Sequence, residues 1–246
     1  MKVCVLQPDY STTGVDYKNY DPPRELQALI PEAEVHTVFL NKLTTYKQLR
    51  DLSKQGYDIF VNLCEGYLEW EVPSIDVIYS LELLNLPYTG PSTKLYDPPK
   101  ELMKYLAFCE NVKTPGYVLI KELSDIEEAV KQLSFPVFVK PAKAGDSLGI
   151  DQHSLVYDRA GLNQKCESII EEYGPLLVEE YIDGREFTVL VAANPDGHSC
   201  RVFKPVEYRF SAGRSFKTYE LKTSELHPDC NFPCEDPVLE MELKQA

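Results

Sequence analysis

FPVFVKPAKAGDSLGI, residues Phe135 to Ile150, is the stretch on which the fold turns. Val137, Phe138 and Val139 are β-branched or aromatic and favour an extended chain. Pro136 stands where a strand begins, since proline has no N–H to give to a ladder. Lys140 ends the apolar run, so a long cation leaves the strand at its mouth. Ala142 to Gly149 then turns small and polar, with Gly145 and Gly149 on either side of Asp146 and Ser147. Glycine lets backbone N–H groups come close to an anion. Strand, lysine and glycine loop together describe a hairpin suited to phosphate. The same residues also describe a plain β-hairpin with a surface lysine. No Gly-Lys-Ser/Thr opens a helix here, so this is not the Walker loop.

Upstream of this stretch, apolar runs alternate with helix-periodic segments. KVCVLQ (Lys2 to Gln7), EVHTVFL (Glu34 to Leu40) and YDIFVNL (Tyr57 to Leu63) are expected strands, with a shorter one at Leu86 to Thr89. Arg24 to Ile30, Tyr46 to Gln55 and Pro73 to Leu84 are expected helices, the second stopped by Gly56. That alternation predicts a parallel sheet covered on both faces, ending near Gly90-Pro91. A helix from Lys100 through Cys109 follows, then a strand at Gly116 to Lys121 and a helix opened by Ser124, with Glu127 at the capping-box position. Downstream come a helix from Asp158 to Tyr173 and strands at Leu176 to Ile182 and Glu186 to Ala192, joined by a hairpin-like Asp183-Gly184-Arg185 turn. Ser199 to Tyr208 is one more strand, Phe210 to Pro237 a long loop of the kind that forms lids, and Leu239 to Ala246 a helix.

The 246 residues allow two or three small lobes or one large domain, and 43% hydrophobic with 26% charged residues is ordinary globular composition. A formal net charge of −14 argues against general binding to nucleic acid or anionic membrane, while leaving room for a nucleotide held by a local lysine cluster. The apolar runs are strand-length, and MKVCVLQPDY turns polar too soon for a signal peptide. Seven scattered cysteines, with no CxxC pair, suggest a reduced, cytoplasmic protein.

Three stretches could share chemistry with the central one. Glu179 and Glu186 flank a turn, and two acids facing one pocket can accept from an amino group and from hydroxyls; a solvated hairpin edge is the other reading. Lys100 near a helix start could reach toward a cleft, and Lys222 in the long loop could close over a phosphate, though surface lysines are common at such places. His227, Cys230 and Cys234 sketch three irregularly spaced zinc ligands, and Cys64 is better read as a buried thiol than as a nucleophile. Trp70 stands alone in a polar loop, beside Glu65, Glu69 and Glu71, which could meet a substrate ammonium or simply be solvated.

FPVFVKPAKAGDSLGI, LLVEEYIDGREFTVLV and LPYTG (Leu86 to Gly90) resemble, in motif and compatible spacing, the ATP-grasp ligases and most closely the D-alanine–D-alanine ligases, over roughly Asn62 to Ala246. The resemblance implies an α/β chain: a parallel α/β N-terminal lobe over residues 1–92, then an incomplete ATP-grasp fold of α+β character, with a central lobe over 93–175 and a truncated C-terminal lobe over 176–246. It implies that Lys100 and Lys140 hold phosphates and that Gly145 to Gly149 closes on the outer phosphates with Ser147 donating. By the same resemblance Glu179 accepts from the adenine amino group, Glu180 and Ile182 meet the base edge through their backbone with Tyr181 between, Glu186 binds ribose and Lys222 reaches the transferred phosphate. The implied reaction is ATP-dependent ligation of a carboxylate to an amine through an acyl phosphate, with an amino acid such as D-alanine as substrate and a homodimer left open. Positioning and charge neutralisation would do most of the catalysis.

The departures are specific. Asp146 stands where many relatives carry Ser, Thr223 where dipeptide-forming relatives carry Tyr, and Cys64-Glu65-Gly66 where they carry His-Gly. The family's Mg²⁺ carboxylates would lie beyond the helix that begins near Leu239, so no metal ligand is assigned in this chain. Two alternatives therefore accompany the ligase reading: a non-catalytic ATP-binding remnant or interaction module, and a ligase for another amino acid or peptide.

Overall fold

The computed structural model describes residues 1–14, 21–145, 147–194, 199–210, 216–219 and 230–245. The chain divides into two compact units, Met1–Pro98 and Pro99–Ala246.

In the first unit, β1 (Lys2–Pro8) is flanked by β2 (Glu34–Leu40) and β3 (Ile59–Asn62), all parallel, in the order β2-β1-β3. The middle strand is buried on both faces. Cys4 and Leu6 enter one cluster with Leu40, Leu49, Phe60, Val77 and Leu81, while Val3 and Val5 pack with Ala33 on the other side. This is why KVCVLQP is a nearly continuous apolar run rather than an alternating one. Helices α1 (Thr45–Leu52) and α2 (Ile75–Leu83) supply the covering residues Leu49, Val77 and Leu81. Gly56 adopts the left-handed conformation, φ 71°, that stops the helical segment after Gln55.

Two expectations fail in this unit. Arg24 to Ile30 forms a single turn, with Leu29 and Ile30 N–H both donating to Leu26 O, rather than a helix. The Gln7 side chain accepts from Arg24 N–H (2.7 Å) and donates to Arg24 O (3.0 Å), so β1 claims the backbone that would have started the helix, and a segment this short cannot offset helix nucleation. The strand expected at Leu86 to Thr89 is only an isolated parallel bridge, Phe60 to Tyr88.

The second unit begins with α3 (Lys100–Cys109) and centres on a four-stranded antiparallel sheet. Its order is β4 (Tyr117–Ile120), β7 (Leu176–Glu180), β5 (Val137–Pro141), β6 (Leu155–Val156). Helices α4 (Ile126–Gln132) and α5 (Arg159–Tyr173) cover one face, where Val137, Val139, Leu176 and Val178 join Ile126, Ala129, Leu162, Cys166 and Ile169 in one core. Strand alternation then sends Phe138, Lys140, Leu177 and Glu179 to the opposite face. α4 starts differently from expectation. A 3-10 turn, Leu123–Asp125, precedes it, and Asp125 rather than Glu127 accepts from the Lys121 and Glu122 N–H groups. Glu127 instead pairs with Arg159.

The expected hairpin at Asp183-Gly184-Arg185 is also corrected. β7 ends at Glu180 in the four-stranded sheet, whereas β8 (Glu186–Thr188) belongs to another sheet, paired with β11 (Val206–Tyr208) and through it with β12 (Asn231–Pro233). Both edges of β7 are already occupied by β4 and β5, so no edge is left for a hairpin partner. The expected strand Glu186 to Ala192 is split into β8 and β9 (Val191–Ala193), and Ser199 to Tyr208 into β10 (Cys200–Val202) and β11, with β9 pairing β10. Pro205, which cannot donate to a ladder, lies in the second break. A last helix, α6, runs over Pro237–Gln245. Among the described residues no helix is long and apolar enough to cross a membrane.

Candidate functional site

β5 and β7 pair with Phe138 opposite Glu179 and Lys140 opposite Leu177. Lys140 and Glu179 are thus diagonal neighbours on one face, a separation a lysine side chain spans easily. Lys140 Nζ contacts Glu179 Oε1, and a second lysine, Lys104 on α3, meets Glu179 Oε2 at 2.9 Å. Glu179 is only 8% exposed, so two cations compensate one buried carboxylate. Lys104 also donates to Pro115 O (3.0 Å) and lies over the Tyr117 ring, 5.1 Å from its centroid.

The glycine loop begins where β5 ends. Lys100 is tied to its base twice: its N–H donates to Ala142 O (3.0 Å) and its Nζ to Ala144 O (2.7 Å). Two successive turns shape the loop, Leu148 N–H donating to Gly145 O and Ile150 N–H to Ser147 O. Ser147 and Gly149 both take left-handed backbone, φ 57° and 72°. Gly149 is required twice over, because a Cβ there would also lie 2.9 Å from Pro141 Cγ. Asp146 lies outside the described residues.

Glu180 turns its carboxylate to Gly116 N–H (3.3 Å) and gives its own N–H to Gly116 O (3.0 Å). Tyr181 N–H donates to Pro136 O (3.1 Å), and the Tyr181 ring stacks on Phe138 at 6.5 Å between centroids. Phe216 meets Phe138 edge-on at 4.8 Å, giving an aromatic surface beside Glu179. Ile182 follows, exposed, before the chain crosses to the other sheet. Glu186 opens β8 opposite Tyr208, so it is not held to Glu179 by a shared hairpin.

Lys222 and His227 lie outside the described residues. The described stem leading toward Lys222 is fixed at Tyr219, whose N–H donates to Ile150 O at 3.1 Å. Cys64 is buried and its thiol pushed up by burial, first, and by the neighbouring acids Asp76, Asp21 and Glu65, which keeps it protonated at neutral pH. Trp70 packs edge-on to Tyr67 and over Gly66, where a Cβ would sit 2.4 Å from its ring. A cavity of about 530 Å³ opens beside α5, lined by Asp151, His153, Tyr157, Gln164, Lys165 and Ser168; the glycine loop and the Lys140–Glu179 pair do not line it. Among the described residues no group of three or more His, Cys, Asp or Glu could hold a metal ion.

Sequence reasoning missed Lys104. Its signal was present, since Lys100 and Lys104 stand one helical turn apart and face the same way. Phe138 and Phe216 were missed as a surface because they meet only through tertiary folding.

An antiparallel sheet with helices on one face, a cation-bearing strand running into a glycine loop and a buried acid on the next strand define an ATP-grasp, D-alanine–D-alanine ligase-like protein. Residues 111–242, just over half of the chain, match the family described as D-ala D-ala ligase C-terminus, and the chain belongs to that family. It is 34% identical over 113 residues to a D-alanine–D-alanine ligase of Marinomonas sp., a match covering 45% of this chain and 35% of that protein. It is 35% identical over 138 residues to an uncharacterized protein of Sinorhizobium fredii, covering 55% of this chain and 39% of the relative. The matches therefore span well under half the length of these curated relatives. In fold the chain is similar to the D-alanine–D-alanine ligase of Bacillus anthracis solved with ATP (TM-score 0.66, 20% identity, covering 100% of this chain and 75% of that one). It is likewise similar to a D-Ala:D-Ser ligase of Enterococcus faecalis (TM-score 0.66, 17% identity, 99% and 80% covered).

Proposed function

We propose that the chain holds ATP for a carboxylate–amine ligation of the D-alanine–D-alanine ligase kind. The observation that carries this reading is the convergence on one sheet face of Lys140 and Glu179, with Lys100 bound to the base of the adjoining glycine loop. The donor set suits a nucleotide. Lysines and loop N–H groups favour phosphate oxygens, the Phe138 and Phe216 rings offer a surface for a base, and a buried carboxylate accepts from an amino group.

In this reading Lys100 and Lys140 contact the inner phosphates, Gly145, Ser147 and Gly149 line the outer ones, and Glu179 accepts a hydrogen bond from the adenine amino group. Glu180 and Ile182 present backbone groups to the base, with Tyr181 stacked behind them. Glu186 binds ribose from the neighbouring sheet and Lys222 reaches in from the stem anchored at Tyr219. The substrates are an amino-acid carboxylate and an amine, D-alanine first among them; the central and C-terminal lobes meet at 175/176 and the compartment is the cytosol. Mg²⁺ is expected from the family.

Lys140→Ala tests the site. ATP affinity, measured by titration calorimetry, should fall about a hundredfold, because a fixed cation on phosphate is lost. Unchanged affinity would refute the assignment. Phosphate release with D-alanine and Mg²⁺, compared among amino acids, separates a D-alanine ligase from a ligase for another substrate and from a nucleotide-binding module that turns nothing over.

A further inference from the structure

Lys165 lies on the buried side of α5 and is only 4% exposed. An amine so deep in the fold needs partners for its charge. It has two, and both belong to the far end of the glycine loop. Its Nζ donates to Gly149 O (2.9 Å) and pairs with Asp151 Oδ1 (3.0 Å). Asp151 is fixed in turn, accepting from His153 N–H (2.8 Å) while its own N–H donates to Ser154 Oγ (3.1 Å). Between Gly149 and Asp151, the Ile150 carbonyl accepts Tyr219 N–H, so the stem of the long loop is attached at the same place. The near end of the glycine loop is held by Lys100.

We propose that Lys165 is a positioning residue for phosphate: a buried pivot that fixes the C-terminal end of the glycine loop, and with it the attachment of the long-loop stem, without touching the nucleotide. The proposal rests on the loop holding the phosphates of ATP. The two turns within residues 145–150 are short-range and carry a left-handed serine, a conformation of an L residue that survives only when the surroundings over-determine it. Lys165 supplies that constraint from outside the loop. Its role falls mainly on the phosphate limb, since Phe138 and Glu179 sit on β5 and β7; Phe216, on the stem anchored at Tyr219, links the pivot to the base side through one ring.

The test compares ATP with adenosine. Lys165→Met keeps the length and apolar stem and removes the donor. The wild-type chain, the Met variant and Asp151→Asn, which keeps the turn-capping oxygen but drops the charge, are titrated with both ligands and melted without ligand. The expected result is about a tenfold loss of ATP affinity in Lys165→Met and a smaller loss in Asp151→Asn, with adenosine affinity falling clearly less than ATP affinity in both. Equal loss of both ligands makes Lys165 merely structural and overturns the proposal; so does unchanged ATP affinity. If Lys165→Met does not fold, the ratio of ATP to adenosine affinity in Asp151→Asn decides alone, and an unchanged ratio overturns the pivot. Failure of the wild-type chain to bind ATP would instead sink the nucleotide reading itself and the pivot with it.

Discussion

Two glutamates in the C-terminal unit are buried between pairs of cations, and the cations differ. Glu179 lies between Lys140 and Lys104, while Glu207 lies between Arg185 and Arg209. Arg185 grips Glu207 with a fork, Nε to Oε1 at 2.6 Å and Nη2 to Oε2 at 2.9 Å, and Arg209 adds Nε and Nη2 to Oε2 at 3.1 Å each. Each guanidinium also lies over a ring of its own sheet, Arg185 over Phe187 and Arg209 over Phe232. The lysines are point charges on flexible stems, and Lys104 shares its ammonium with Pro115 O. A fork saturates a carboxylate and fixes its plane. A pair of ammoniums neutralises it while leaving room to trade one partner for another. The arginine-held acid is therefore a strut for the small β12-β11-β8 sheet, which among the described residues contributes nothing to the buried apolar clusters. The lysine-held acid sits on a sheet that its apolar core already supports, and in the proposed reading it serves the ligand.

Exchanging the two cation types breaks this comparison most directly. Lys104→Arg with Lys140→Arg should leave the melting temperature near wild type and lower ATP affinity about a hundredfold, because forks on Glu179 would no longer release a cation to phosphate. Arg185→Lys with Arg209→Lys should do the reverse: melting falls by a few degrees as the fork is lost, while ATP affinity stays within about twofold. Calorimetric melting and ATP titration of both variants check the pair. If the arginine exchange hits binding as hard as the lysine exchange, the strut and the site are one structure and the distinction is lost.

A smaller effect sharpens it. Lys104 touches Glu179 and stands on α3 beside the Tyr117 ring. Lys104→Met should weaken adenosine and ATP alike, by about tenfold, since it acts through the acid that would meet the base. That contrasts with Lys165→Met, where ATP suffers more than adenosine. A loss restricted to ATP in Lys104→Met would move Lys104 to the phosphate limb.

The legible part of this molecule is the part written in local periodicity. KVCVLQ, EVHTVFL and VFVKP are strands, as their apolar pattern favours; α3 begins directly after Pro98-Pro99, and α5 begins after Asp158, whose side chain accepts from Gly161 N–H. The family motifs were legible because they are contiguous: Lys140, Gly145, Ser147 and Gly149 share one stretch. What failed depended on partners distant in sequence. The turn at Asp183-Gly184-Arg185 resembles a hairpin locally, but both edges of β7 were already taken. Arg24 to Ile30 has helical composition, yet Gln7 captured its first backbone groups. Lys165 and the Arg185–Glu207–Arg209 cluster draw their meaning from contacts across the chain, and no spacing rule announces them; the one-turn spacing of Lys104 from Lys100 shows a shared helix face but not its partner Glu179.

Acid gives the mildest probe of the strut. The Arg185 fork first, with Arg209 adding to it, holds the Glu207 carboxyl at about 2 against an ordinary 4.5. Between those values the unfolded chain binds a proton at this position and the folded chain does not. The stabilisation is therefore complete above about pH 4.5 and is lost as pH falls toward 2. Asp9, Glu82, Asp125 and Glu240 are also lowered by their hydrogen bonds, so their contributions to the acid limb of the wild-type curve bend the same way. Glu207→Gln isolates one contribution, because the other four cancel in the difference. That difference in urea unfolding free energy should be flat from neutral pH down to about 5 and shrink below it. A difference that stays constant into strong acid would mean that the arginine fork does not discriminate carboxylate from amide, and that Glu207 is held by shape rather than by charge.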